Sequence, residues 1–195
     1  LIFQIFNKQK FMALLTIFLI IPSIFISAYY SSSLFNDRVN QGIQAVIDFP
    51  ATKGYIEENN YYSSVGIRLS MAVNSWQIIK KNPLIGVGTG DFPMEYKKIN
   101  QIRTPKLPNV ENPHNMYTFV LVSLGFAGLT SMLAIFYYQI KLSFNSPIKF
   151  IQDVGIALPL MFLVVMLSDS YLLGHYTSLL YIFFSSFLYK DFEKS

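Results

Sequence analysis

Charged and uncharged stretches alternate along the chain on the length scale of a lipid bilayer. Phe11 to Tyr30 is a run of twenty residues without a charge, and at about 1.5 Å per residue a helix of that length crosses the roughly 30 Å hydrocarbon core. Pro22 lies inside this run and is expected to kink it. Lys8 and Lys10 precede it as they would in a signal peptide, but no small-residue cleavage pattern follows, so the run reads as a membrane span. A second uncharged run, Met116 to Ile140, is also long enough to cross, and its Ser123 and Ala127 offer a small-residue strip for close helix contact. From Val154 to Tyr189 only Asp169 and His175 interrupt an apolar sequence too long for one span. It divides most simply into two helices hinged at Leu173-Gly174-His175.

The pattern predicts an all-α integral membrane protein, with about four transmembrane helices and one large extracytoplasmic loop containing amphipathic helices. Lysines retained on the cytoplasmic side set the orientation. Lys8 and Lys10, then Lys141 and Lys149, then Lys190 and Lys194 all fall on one side of a four-span arrangement. The expected organisation is a cytoplasmic end and first helix over 1–30, the outer loop over 31–114 and a second helix over 115–140. A cytoplasmic connection over 141–153, a helical hairpin over 154–189 and a cytoplasmic tail over 190–195 complete it. The outer segment holds nine of the fifteen basic residues, and a segment of that length is exempt from the charge rule.

Within the outer segment, Val65, Leu69, Ala72, Trp76 and Ile79 recur at helical spacing with Arg68 beside them, which predicts an amphipathic helix over 65–81 lying on the membrane or over the helix bundle. It ends at Asn82-Pro83, because the residue before proline avoids the helical region. Asp91 to Gln101 reads as a short helix capped by Asp91, and Thr104 to Pro113 as extended chain. Gly86, Gly88 and Gly90 lack the G-x-G-x-x-G spacing and no strand leads into them, so they read as a tight turn between two surface helices.

Composition agrees with a membrane class: 52% of residues are hydrophobic and 13% charged, against about 25% charged in soluble domains. The absence of cysteine excludes a disulfide framework, a thiolate nucleophile and a cysteine-ligated metal. The chain opens on Leu1, and is expected to be the C-terminal part of a longer multi-spanning protein.

Arg68-x7-Trp76, then Asn82-Pro83-Leu84-Ile85-Gly86-Val87-Gly88-x3-Phe92, then Pro113-His114-Asn115 followed by Leu121-x2-Leu124-Gly125-x2-Gly128-Leu129, form an ordered set before a membrane helix. This set resembles the O-antigen ligase and polymerase superfamily over roughly residues 68–128. The resemblance implies a metal-independent, inverting membrane glycosyltransferase without a cofactor, in the bacterial inner membrane. It would move a glycan from an undecaprenyl-pyrophosphate carrier to a hydroxyl of the lipid A core, a growing polysaccharide or a protein, and would not bind nucleic acid. A second arginine of the family's ligases lies on an earlier outer loop, outside this chain.

The residue types fit that chemistry. A sugar hydroxyl is a poor nucleophile and a polyprenyl pyrophosphate a good, charged leaving group, so the site needs a base on one side and cations on the other. His114 is the candidate base, since imidazoles titrate near pH 6.5. Arg68 is the candidate pyrophosphate clamp through its bidentate fork. Arg103 is a substitute for the missing arginine, and Asn115 and Trp76 join the expected substrate-binding set. Asp169, a carboxylate within an apolar run, either pairs with His175 or binds the acceptor.

The plainer readings are an interfacial histidine, a snorkelling arginine and a solvated face of Lys97, Lys98, Arg103 and Lys106. A non-catalytic transport protein on the same helices would need charges along its spans, and only Asp169 is available. An adhesive outer domain would need a core of its own, which the pattern of 31–113 does not display.

Overall fold

The computed structural model describes residues 10–48 and 64–189, and among them there is no strand. Seven α-helices are described: α1 Lys10–Ser31, α2 Ser33–Asp48, α3 Ser64–Lys81, α4 Phe92–Arg103, α5 Met116–Phe144, α6 Lys149–Val165 and α7 His175–Leu188. A single 3-10 turn, Tyr171–Leu173, joins the last two. Residues 1–9, 49–63 and 190–195, the last expected as a cytoplasmic tail, lie outside the described residues.

α1 runs through Pro22 as one helix. The chain turns by 106° between Leu15–Ser31 and Ser33–Asp48. Ser32 makes the corner: its Oγ accepts the Phe35 N–H (3.3 Å), capping α2, while Tyr29 Oη donates to Asn40 Oδ1 (3.0 Å) across the bend. The sequence reading had no element over 33–48. The signal was present in Ser32 followed by Phe35, Val39, Ile43 and Ile47, a capping residue and then apolar positions every fourth residue.

α5 is 29 residues long and, among the described helices, the one that by itself is long and apolar enough to cross a membrane. α1 and α2 pass that test only together as a bent pair, and α6 and α7 have 17 and 14 residues. α5, α6 and α7 pack around Met116, Val120, Met132, Phe136, Leu158, Phe162 and Met166. Phe18, Ile21, Ile24, Val164, Phe183 and Phe187 are more than half exposed, as side chains meeting lipid are.

α5 is broken at Gly125, which adopts φ 65°, ψ −161° within the helix. A regular helix would bond the N–H groups of residues 126 and 127 to the carbonyls of 122 and 123. Here Phe126 and Ala127 donate instead to Pro83 O (2.8 Å) and Leu84 O (3.1 Å), while the carbonyls of Val122 and Ser123 accept from Val87 (2.8 Å) and Gly88 (2.9 Å). The loop between α3 and α4 thus takes the place of two helical rungs and leaves none of those backbone groups unpaired. The close approach requires glycine on both sides: a Cβ at Gly86 would lie 2.4 Å from the Ser123 carbonyl carbon, and one at Gly125 2.4 Å from that of Leu84. The Pro83–Gly88 segment is thus a turn linking α3 and α4 that is docked into the break of α5, with the Ser123 backbone against Gly86.

α3 buries a different face from the one predicted. Gly66, Ser70, Met71, Asn74, Ser75, Ile78 and Ile79 are inside, whereas Arg68, Ala72 and Trp76 are exposed. Small and polar residues face inward because α3 packs closely on α4 and α5. There Met71, Ile78, Ile79, Phe92, Tyr96 and Val122 form a second core, with the Phe92 and Tyr96 rings stacked 5.5 Å apart. α3 and α4 thus pack in a core that they share with the first half of α5. α4 begins after Asp91 as expected, but the Asp91 carboxylate makes no capping bond.

A buried polar chain fixes the stretch after α4. Asn74 Nδ2 donates to Thr104 Oγ1 (2.7 Å), Thr104 Oγ1 donates to Asn100 Oδ1 (2.5 Å), and Asn100 Nδ2 donates to Leu107 O (2.9 Å). Burial raises the Tyr96 hydroxyl above its ordinary range, partly offset by its bond from Asn74. Asn100→Ala is expected to cost about 1–3 kcal/mol, because it strands the partners of a buried amide. A lower unfolding temperature of the purified protein checks this, and an unchanged one would contradict it.

Candidate active site

Pro113-His114-Asn115 forms the entrance to α5. Pro113 is buried, and His114 takes a left-handed backbone with φ 48°. That conformation is uncommon for a residue with a side chain, and histidine, asparagine and aspartate tolerate it best. It persists because neighbouring bonds hold it: His114 N–H donates to Asn112 Oδ1 (3.0 Å), and Met116 N–H donates across to Met166 O (3.0 Å). Asn115, expected to meet substrate, has its amide engaged within the protein. Its Oδ1 caps α5 by accepting the Thr118 N–H (2.9 Å), and its Nδ2 donates to Leu167 O (2.9 Å). Tyr117 Oη adds a bond to Leu163 O (2.6 Å). The histidine turn is thus tied to the end of α6 by three separate bonds.

These ties bring Asp169 to His114. His114 Nδ1 lies 3.1 Å from Asp169 Oδ1, which also accepts the Ser170 N–H at 2.7 Å. Asp169 therefore pairs with His114 and not with His175, the partner that chain proximity suggested. A carboxylate oxygen accepts only, so the neutral imidazole carries its hydrogen on Nδ1 and its lone pair on Nε2. The pair is fixed in orientation yet open to solvent, with the two side chains 42% and 45% exposed.

A cavity of about 420 Å³ opens beside the pair, with walls that include Asn112, His114, Asp169, Tyr171, His175 and Tyr176. His175 begins α7 directly after Gly174, so the hinge predicted there exists and contributes a wall. Sequence reasoning separated Asp169 and His175 from His114 because more than fifty residues intervene, and only the packing of α5 on α6 brings them together.

Arg68, Trp76 and Arg103 do not line this cavity. Arg68 and Trp76 share the exposed side of α3 with Lys80. Arg103 is half-buried in the last turn of α4, where a cation complements the helix dipole. Among the described residues no three His, Cys, Asp or Glu side chains are grouped to hold a metal ion.

The model of the family described as O-antigen ligase matches residues 1–133. The chain belongs to the O-antigen ligase family. The match takes in Arg68, the docked Pro83–Gly88 loop, His114 and the Gly125 break of α5, and ends before α6. No curated protein sequence matches the chain. Members of this family are bacterial membrane proteins with a ligase or polymerase role on polysaccharide and lipid-linked substrates, and the apolar α5 agrees with a membrane setting.

Proposed function

We propose that the chain carries the acceptor-activating part of a glycosyltransferase, which moves a glycan from an undecaprenyl-pyrophosphate carrier to an acceptor hydroxyl at the outer face of the bacterial inner membrane. The observation that carries this reading is His114, held in a left-handed turn at the mouth of α5 with Nδ1 bonded to Asp169 and a cavity beside it. In this mechanism Nε2 takes the proton of the acceptor hydroxyl as its oxygen attacks the anomeric carbon. Asp169 steadies the imidazolium that forms. The glycan–phosphate bond breaks on the opposite side, the pyrophosphate leaves with the bonding pair, and the configuration inverts. Arg68 on the exposed side of α3 holds the leaving pyrophosphate, and Trp76 on that side anchors the helix at the lipid surface. In the proposed arrangement of four spans residues 31–114 lie outside, and both groups then stand at the membrane face where the carrier lipid presents its headgroup.

An O-antigen or exopolysaccharide polymerase would use the same site, with a growing glycan as acceptor. The test is transfer by the purified full-length protein in lipid nanodiscs, given donor and acceptor and assayed with and without EDTA. Release of undecaprenyl pyrophosphate, with transfer unchanged by the chelator, is expected. Absence of transfer, or its loss with EDTA and recovery with magnesium, would contradict this mechanism. In the same assay Asp169→Asn is expected to lower kcat by about tenfold or more with little change in donor KM, since an amide no longer fixes the ring tautomer.

A further inference from the structure

The cavity beside His114 differs in character from a phosphate site. No lysine or arginine is among its walls, and Asp169 supplies a carboxylate that repels a phosphate. The rest of the wall is mostly apolar surface that carries a few polar groups, the Tyr171 and Tyr176 phenols, the Asn112 amide, the His175 imidazole and the Thr177 hydroxyl. Tyr176 is 90% exposed at the rim, where a ring face is available for stacking. A volume of about 420 Å³ lies within the roughly 300–1,000 Å³ of small-ligand sites.

We infer that this cavity, at the outer end of the α6–α7 hairpin, is the acceptor subsite and takes an uncharged, hydroxyl-rich saccharide. Tyr171 and Tyr176 stack on the sugar ring, Asp169 and His175 bond its hydroxyls, and the attacking hydroxyl comes to rest at His114 Nε2. The basic groups of α3 and α4 remain with the donor, so the two substrates meet His114 from chemically opposite sides. The assignment of the ligand as acceptor rests on the transferase reading, whereas its binding at this place does not. Apart from Asn112 and His114, its walls lie on the connection between α6 and α7 and on the first turn of α7, beyond the residues that the family model matches.

The experiment is saturation-transfer NMR on the full-length protein in nanodiscs, with methyl glucoside and maltotriose as probes and inorganic pyrophosphate as competitor. Tyr176→Ala and His175→Ala, both at exposed positions that leave the core intact, are expected to weaken saccharide binding. The loss expected for Tyr176→Ala is about fivefold to tenfold. Pyrophosphate should not displace the sugar. Unchanged saccharide binding in both variants would overturn the subsite, as would displacement by pyrophosphate. Failure of either sugar to bind the wild-type protein, or binding of a serine peptide in their place, would also overturn it. Transfer activity surviving in His114→Asn would instead remove the base assignment, while the NMR result would still decide the subsite.

Discussion

His114→Asn is expected to reduce glycan transfer by about 10²–10⁴-fold, the usual contribution of a positioned general base, without lowering the amount of protein in the membrane. Asparagine is the informative replacement because position 114 has φ 48°. Alanine there would add backbone strain to the loss of the imidazole, whereas asparagine tolerates the left-handed region and removes only the base. Initial rates measured with saturating donor and varied acceptor check this. A His114→Asn enzyme within threefold of wild type would show that the turn serves α5 and not the chemistry. The comparison with Asp169→Asn adds a rank order: losing the base should cost more than losing its orienting partner, and the double variant should be little worse than His114→Asn alone, since the two side chains act as one unit.

Gly125→Ala is expected to be the most damaging small substitution in the chain. Its Cβ would lie 2.4 Å from both the carbonyl carbon and oxygen of Leu84, at φ +65°, so relief requires separating the loop from α5. Separation breaks the four backbone bonds between Pro83–Gly88 and residues 122–127 and leaves their polar groups unpaired at the apolar half of the protein. About 4 kcal/mol or more is at stake, which places the change among the exceptional single substitutions. Collapse of the membrane-inserted, detergent-soluble yield is the expected result, and Gly86→Ala should match it, because a Cβ there meets the Ser123 backbone. The double variant should be no worse than either single, since both open the same joint. A Gly125→Ala protein with wild-type yield and unfolding temperature would disprove the account of the docked loop.

The features legible in the sequence were those set by local spacing. The α3 boundary at Asn82-Pro83 follows from proline chemistry, and the structure has it together with the start of α4 after Asp91 and the division of 154–189 near Gly174. What local patterning missed was decided by packing at a distance. The inward face of α3 is made of Gly66, Ser70 and Asn74 because α4 and α5 approach closely, so a search for the bulkiest stripe selected the exposed side. Trp76 was drawn into that stripe as its largest apolar residue, although it is 51% exposed. The glycine-rich loop was recognisable as a special backbone segment, yet nothing in the spacing of Gly86 and Gly88 indicates that its partner is Gly125, some forty residues on. At the site, His114 stood out through its place before α5, whereas the roles of Asp169 and His175 depend on the fold of α6 against α5. Asn115, expected from the sequence to bind substrate, is the N-cap of α5, a role that its position directly before a helix makes legible.

The most direct test of the central claim, that His114 held by Asp169 is the base of glycan transfer, is complementation of a strain lacking the full-length gene with His114→Asn at matched membrane levels. Surface glycan is read on gels, and carrier-linked glycan is read in lipid extracts. The account predicts loss of the surface glycan with accumulation of the undecaprenyl-linked form. An unchanged surface glycan at equal protein level would contradict it.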